Sequence, residues 1–176
     1  NIKKKDVFGV FEVGMDKKGE IDNLTKLVMP NLGVITNISY AHIKNFKNLQ
    51  AIASAKSEII NNIVDGGTIV LNKDDKFFNF LKNKALKKKL KIISFSEKKN
   101  SDVKLVNVVL KKSQLIISVK INNKIKEFII KRNFESYVIN ILAAIAVISN
   151  YINIHIFKKN IFYNFEPTKG RGDFLK

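Results

Sequence analysis

Apolar and polar positions along this 176-residue chain follow two periods, one after the other. The run Val7 to Val13 (VFGVFEV) is apolar apart from Gly9 and Glu12, as expected of a strand buried on both faces. Gly19, Glu20 and Ile21 open an amphipathic stretch through Leu24, Leu27 and Val28 that Pro30 closes, and a second apolar run follows from Leu32 to Ile38. Leu49 to Ile63 predicts a helix, Asp65-Gly66-Gly67 a turn, Thr68 to Leu71 a short strand, Lys76 to Lys88 a helix and Lys91 to Phe95 a strand. This alternation over residues 1–95 predicts an α/β fold, a mostly parallel sheet flanked by helices.

From Asp102 to Lys131 the period shortens. Val103, Leu105, Val108, Leu110, Leu115, Ile117, Val119 and Ile121 favour strands, and Asn122-Asn123 suits a tight hairpin turn. The expectation is an added antiparallel β-meander over residues 102–131. Phe134 to Tyr151 is the most apolar helix candidate, Ile154 to Phe165 a further one, and a Gly-rich end follows at Lys169 to Asp173.

At 45% hydrophobic residues the chain suits one compact domain rather than a disordered tail. It has no Cys, which excludes disulfides and thiolate metal sites and points to a reducing compartment. No apolar run approaches the roughly 20 residues of a membrane span, so a soluble, cytoplasmic protein without a membrane partner is expected. The net charge of +17 invites a polyanion reading. Composition weakens it, because only Arg132 and Arg171 among the 32 basic residues are arginine. Lys, Ile and Asn together make 77 of the 176 residues, the mark of codons rich in A and T. No nucleic-acid partner is expected, since Arg forks and free stacking aromatics are scarce.

Three residues break their local pattern. Lys56 falls in the middle of the stripe Leu49, Ile52, Ala53, Ile59, Ile60 and Ile63, which has helical spacing. A stem lying along apolar surface with its ammonium in water would account for it. So would a desolvated amine that loses its charge and acts as a base, forms a Schiff base or captures carbon dioxide as a carbamate. Glu12 falls near the carboxyl end of the first expected strand, where ligands of open α/β sheets bind and where a carboxylate can hold a hard cation. His42 lies a few residues beyond the next strand. Each of the two alone reads as an ordinary strand-end or loop residue, whereas Glu12, His42 and a carbamate on Lys56 together would make a divalent-metal site.

The segments FEVGMDKKGEIDNL, MPNLGVITNISYAHIKNF, AIASAKSEI and VLNKDD resemble, in order and spacing, the central ATP-binding domain of the Mur ligases. Gly19-Glu20-Ile21 and Ala41-His42 with Phe46 resemble the branch of that family that adds D-alanyl-D-alanine in peptidoglycan synthesis. The resemblance runs from about Val7 to Asp75 and continues more weakly at Asn140 to Ala144 and Gly170-Arg171. It implies a P-loop NTPase-like central domain and an ATP-dependent amide synthesis. In that reaction the carboxylate of a UDP-N-acetylmuramoyl-tripeptide becomes an acyl phosphate, and the amine of D-alanyl-D-alanine attacks it. It further implies Glu12 and His42 as Mg2+ ligands, Lys56 as a carbamylated lysine that helps to hold the metal, and Asn140 and Arg171 as ATP contacts.

Departures from the family pattern are Ser136-Tyr137 where His-Asn is usual, Tyr40 where Pro is common and Lys44 where an acidic residue is common. No G-x-x-x-x-G-K-[ST] occurs in the chain, so the phosphate-loop strand of the family is missing. Residues 1–176 therefore read as a truncated central domain, a monomer without the family's N-terminal and C-terminal domains and inactive alone. Two alternatives stay open. One is a sister Mur or folylpolyglutamate-synthase-like ligase fragment, and the other is a basic polyanion-binding α/β module.

Overall fold

The computed structural model describes residues 5–40, 43–153 and 156–165. Helix α1 (Glu20–Val28) leads into strand β1 (Leu32–Ile35), and a single 3-10 turn (Ile43–Asn45) precedes helices α2 (Leu49–Lys56) and α3 (Ile59–Asn62). Strand β2 (Thr68–Asn72), helix α4 (Phe78–Lys87) and strand β3 (Lys91–Ser96) complete the alternating half. Strands β4 (Val103–Lys111), β5 (Gln114–Ile121) and β6 (Lys124–Lys131) follow, then a 3-10 segment (Arg132–Tyr137) and helix α5 (Val138–Ser149).

The six strands of the described residues form one sheet in the order β1-β2-β3-β4-β5-β6. The first three run parallel, β4 joins β3 in parallel through Phe95↔Val103 and Ser96↔Lys104 alone, and β4, β5 and β6 pair antiparallel. The meander expected from the period-2 pattern is thus an extension of the parallel sheet. Asn122 and Asn123 make its second turn with φ of 48° and 66°, the left-handed pair that a two-residue hairpin needs. Among the described residues β4 has no strand partner on its β3 side beyond Lys104, so the meander runs past the carboxyl end of β3 with Val106 and Leu110 exposed.

Side-chain alternation in β2 feeds two cores. Val70 joins Phe95, Ile117, Phe128, Leu142 and Ile145 on the α5 side. Ile69 and Leu71 join Ile35, Ile52, Ala53, Ile60 and Leu81 on the opposite side. Every residue of β2 is buried, which explains why its apolar run lacks a polar face. Burying one such side chain fully is worth about 1.5–3 kcal/mol.

Three expectations are corrected. Residues 7–13 form no strand, and Val7 and Val10 are 84% and 97% exposed. A sheet strand needs a hydrogen-bonded neighbour, and apolar content alone supplies none; the segment is not among the strands paired with the edge strand β1. The helix expected over Leu49 to Ile63 breaks after Lys56 into α2 and α3. At the break the amides of Glu58, Ile60 and Asn61 bond the carbonyls three residues back, tightening the turn and burying Ser57 and Glu58. Residues 156–165, the described portion of the expected last helix, form turns, from which Phe157 and Phe162 pack against Phe128.

No described helix is long and apolar enough to cross a membrane.

Candidate functional site

Because β1, β2 and β3 run parallel, their carboxyl ends meet along one edge, where α/β sheets bind ligands. The tail of β2 pins that edge. Asn72 donates its side-chain amide to the Thr36 carbonyl at 3.0 Å and accepts from the Asp74 amide at 2.9 Å. Asp75 accepts from the Ile38 amide at 2.6 Å and from the Phe77 amide at 2.8 Å, so it holds the loop leaving β1 and the start of α4 together. Asp74 accepts from the amides of Glu97, Lys98 and Lys99 in the loop leaving β3. Burial alone would raise the Asp74 carboxyl, but these three amides outweigh it and hold it below the ordinary aspartate value. Asn and Asp one to three places beyond a strand form such turns commonly, and that is the signal the sequence carries for this network.

Lys56 is the last residue of α2, half-buried, and its Nζ donates to the Asn37 carbonyl at 3.0 Å. Desolvation lowers its proton affinity, and the nearby Asp75 carboxylate partly restores it. The lysine therefore lies at the carboxyl edge, between the loop from β1 and the loop from β2. Its head meets the Asn37 carbonyl at a position that solvent still reaches.

Immediately beyond it, Glu58 is buried and accepts twice from the Gly19 amide, at 2.9 and 3.0 Å, and from the Asp22 amide at 3.3 Å. Asn62 donates to the Asp22 carbonyl, to Asp22 Oδ1 and to Thr25 Oγ1. Glu20 accepts from the amides of Asp16 and Lys17, which hold its carboxyl below the ordinary glutamate value. Sequence periodicity places Glu58 off the buried stripe, and the broken helix is what turns it inward.

Glu12 is exposed, one residue before Val13, which packs on the same core as Ile38, Ile52 and Ala55. Asn140 is exposed on the first turn of α5. His42 and Arg171 lie outside the described residues. Among the described residues no group of three or more His, Cys, Asp and Glu side chains gathers as a metal site.

The donors shown along this edge are oxygens, the Asp75 carboxylate and the Asn37 carbonyl. Oxygen donors suit magnesium. As an ammonium Lys56 can only donate hydrogen bonds. Its lowered proton affinity enlarges the fraction of free amine that can add carbon dioxide and become an oxygen donor.

A family model for the Mur ligase middle domain matches residues 1–148. The UDP-N-acetylmuramoyl-tripeptide--D-alanyl-D-alanine ligase of Rickettsia prowazekii (strain Madrid E) is 30% identical over 175 residues, covering 96% of this chain and 38% of the relative. Crystal structure I of MurF from Acinetobacter baumannii superposes with a TM-score of 0.86 at 26% identity, covering 99% of this chain and 38% of that one. The MurF ligase of Thermotoga maritima, solved in complex with ADP, gives a TM-score of 0.68 over 76% of this chain and 30% of that one; at 21% identity it speaks for the fold alone. The chain thus spans 38% of the length of the Rickettsia relative.

Proposed function

Since the chain belongs to the Mur ligase middle-domain family, we propose that it is the central ATP-binding portion of a ligase that joins D-alanyl-D-alanine to UDP-N-acetylmuramoyl-tripeptide in peptidoglycan synthesis. The Mur ligases are ATP-dependent acid–amino-acid ligases. ATP supplies the phosphoryl group that activates the tripeptide carboxylate as an acyl phosphate, and magnesium offsets the phosphate charge. The reading rests on one observation above all: Lys56, half-buried with its proton affinity lowered, meets the Asn37 carbonyl at the carboxyl edge of the parallel strands.

In this reading Glu12, His42 and Lys56 as a carbamate hold magnesium, and Asn140 and Arg171 contact ATP. Asn72, Asp74 and Asp75 keep the edge in shape. Residues 1–176 then form a central domain with three segments: residues 1–95 as the α/β segment, residues 102–131 as the antiparallel strands, and residues 134–176 with helices and a nucleotide-contacting end. The 176 residues by themselves lack the backbone cradle and lysine of a G-x-x-x-x-G-K-[ST] loop, so we infer that they do not turn over ATP alone. The same reading makes the protein a cytoplasmic monomer with neither nucleic acid nor membrane as a partner. Sedimentation across a salt series tests the oligomeric state and polyanion binding together.

The deciding assay uses the full-length protein that carries these residues. Release of ADP and phosphate is expected only when both UDP-N-acetylmuramoyl-tripeptide and D-alanyl-D-alanine are present, with a large loss of kcat in Lys56→Ala. Turnover that ignores D-alanyl-D-alanine and accepts a single amino acid would assign the chain to a sister ligase instead.

A further inference from the structure

Glu58 is the only charged side chain among the described residues that is buried. An interior carboxylate is costly unless hydrogen bonds replace its water, and here the donors are the Gly19 and Asp22 amides at the start of α1. A local Ser or Asp usually caps a helix. Gly19 has φ of 93°, where such a side chain would be strained, so the cap comes from 39 residues away.

That distant cap makes a joint. On one side, two residues before Glu58, Lys56 ends α2. On the other, the chain from Glu12 to Gly19 is anchored by the buried Met15 and by the Glu20 bonds to Asp16 and Lys17. The Glu20 bonds are local and travel with the turn, whereas Glu58 ties that turn to the Lys56 helix. We propose that Glu58 is a positioning residue that sets the Glu12 segment against Lys56 by holding the Gly19 amide. The inference rests on the reading that Glu12 and Lys56 serve the magnesium-binding edge. Asn62 grips the same helix one turn further on, at Asp22 and Thr25, and so supplies a control for α1 stability without the joint.

The test uses the full-length protein with Mn2+ as a paramagnetic probe, read by electron paramagnetic resonance, alongside hydrogen exchange of residues 16–22. Glu58→Ala is expected to weaken Mn2+ binding by about tenfold and to speed exchange at Gly19. Glu58→Gln keeps one oxygen acceptor and is expected to recover some of both losses. Asn62→Ala is expected to lower Tm while binding Mn2+ like the parent. Should Glu58→Ala fail to fold, the Gln variant carries the test. Parent-like Mn2+ affinity in the folded Glu58 variants, or an equal loss in Asn62→Ala, overturns the positioning role. Glu12→Ala and Lys56→Ala separate the two levels: if both bind Mn2+ like the parent, the underlying metal reading fails, whereas loss in these two without loss at Glu58 overturns the positioning role alone.

Discussion

The Lys56 ammonium donates to the Asn37 carbonyl across 3.0 Å and so ties the end of α2 to the loop leaving β1. Desolvation disfavours the charged form, with Asp75 acting in the opposite sense, so the folded protein holds this proton less tightly than the unfolded chain does. The free amine is therefore more abundant at mildly alkaline pH than on surface lysines. Exposure to 13C-labelled carbon dioxide should yield a carbamate resonance that Lys56→Ala removes. Its intensity should rise with pH and reach its midpoint below the ordinary lysine value. A midpoint shared with the bulk lysines would contradict the desolvated geometry.

Asp75 acts on the same lysine from the other loop. Its carboxylate takes the Ile38 and Phe77 amides, and its charge raises the proton affinity of Lys56. Asp75→Ala should leave two amides without their acceptor and cost about 1–3 kcal/mol for each that stays buried. It should also move the carbamate midpoint to still lower pH. Denaturant unfolding reads the first effect and the labelling series the second.

The alternating half of the fold was legible because its pattern is redundant. β2, α4 and β3 each combine period, length and a flanking turn, and the Asn122-Asn123 hairpin adds explicit turn chemistry. Lys56 was legible for the opposite reason, as a charge within an apolar stripe. Residues 7–13 misled because an apolar run records what would favour burial, while strand formation needs a neighbour to bond. Glu58 was hidden by the assumption of one continuous helix, for a slip of about 100° per residue reassigns every face after the break. The Asn72-Asp74-Asp75 network was visible as a turn, but its partners in the loops after β1 and β3 come from register, which composition does not record.

Gly67 lies where the chain turns into β2, and there its lack of a side chain is a packing requirement. A Cβ at this position would come within 2.5 Å of the Ile63 Cγ2 and 2.8 Å of the Asn31 and Val64 carbonyl oxygens. Two of those three atoms are backbone, so relief requires moving β2 against the loop before β1. Gly67→Ala should cost about 1–3 kcal/mol, read as a fall in the denaturant midpoint at unchanged m-value. The neighbouring Gly66 has φ of 73° and open space, so Gly66→Ala should show only the milder cost of the left-handed backbone.

Asp74 sets an acid limit on the carboxyl edge. Burial raises its carboxyl and the Lys98, Lys99 and Glu97 amides lower it further than burial raises it, leaving the folded value below the ordinary aspartate value. A carboxyl depressed by folding contributes stability that is fully present above its unfolded value of about 4 and is lost as pH falls through the lower folded value. The parent should therefore lose stability below about pH 4 more steeply than Asp74→Asn. The variant should also be less stable at neutral pH, because a carboxamide offers one acceptor oxygen to three amides. Equilibrium unfolding at a series of pH values from about 3 to 7 gives both quantities. Parallel curves for the two proteins would mean that the amides of residues 97–99 do not hold the carboxylate in solution, and that the loop after β3 is secured by Asp102 on Ser94 instead.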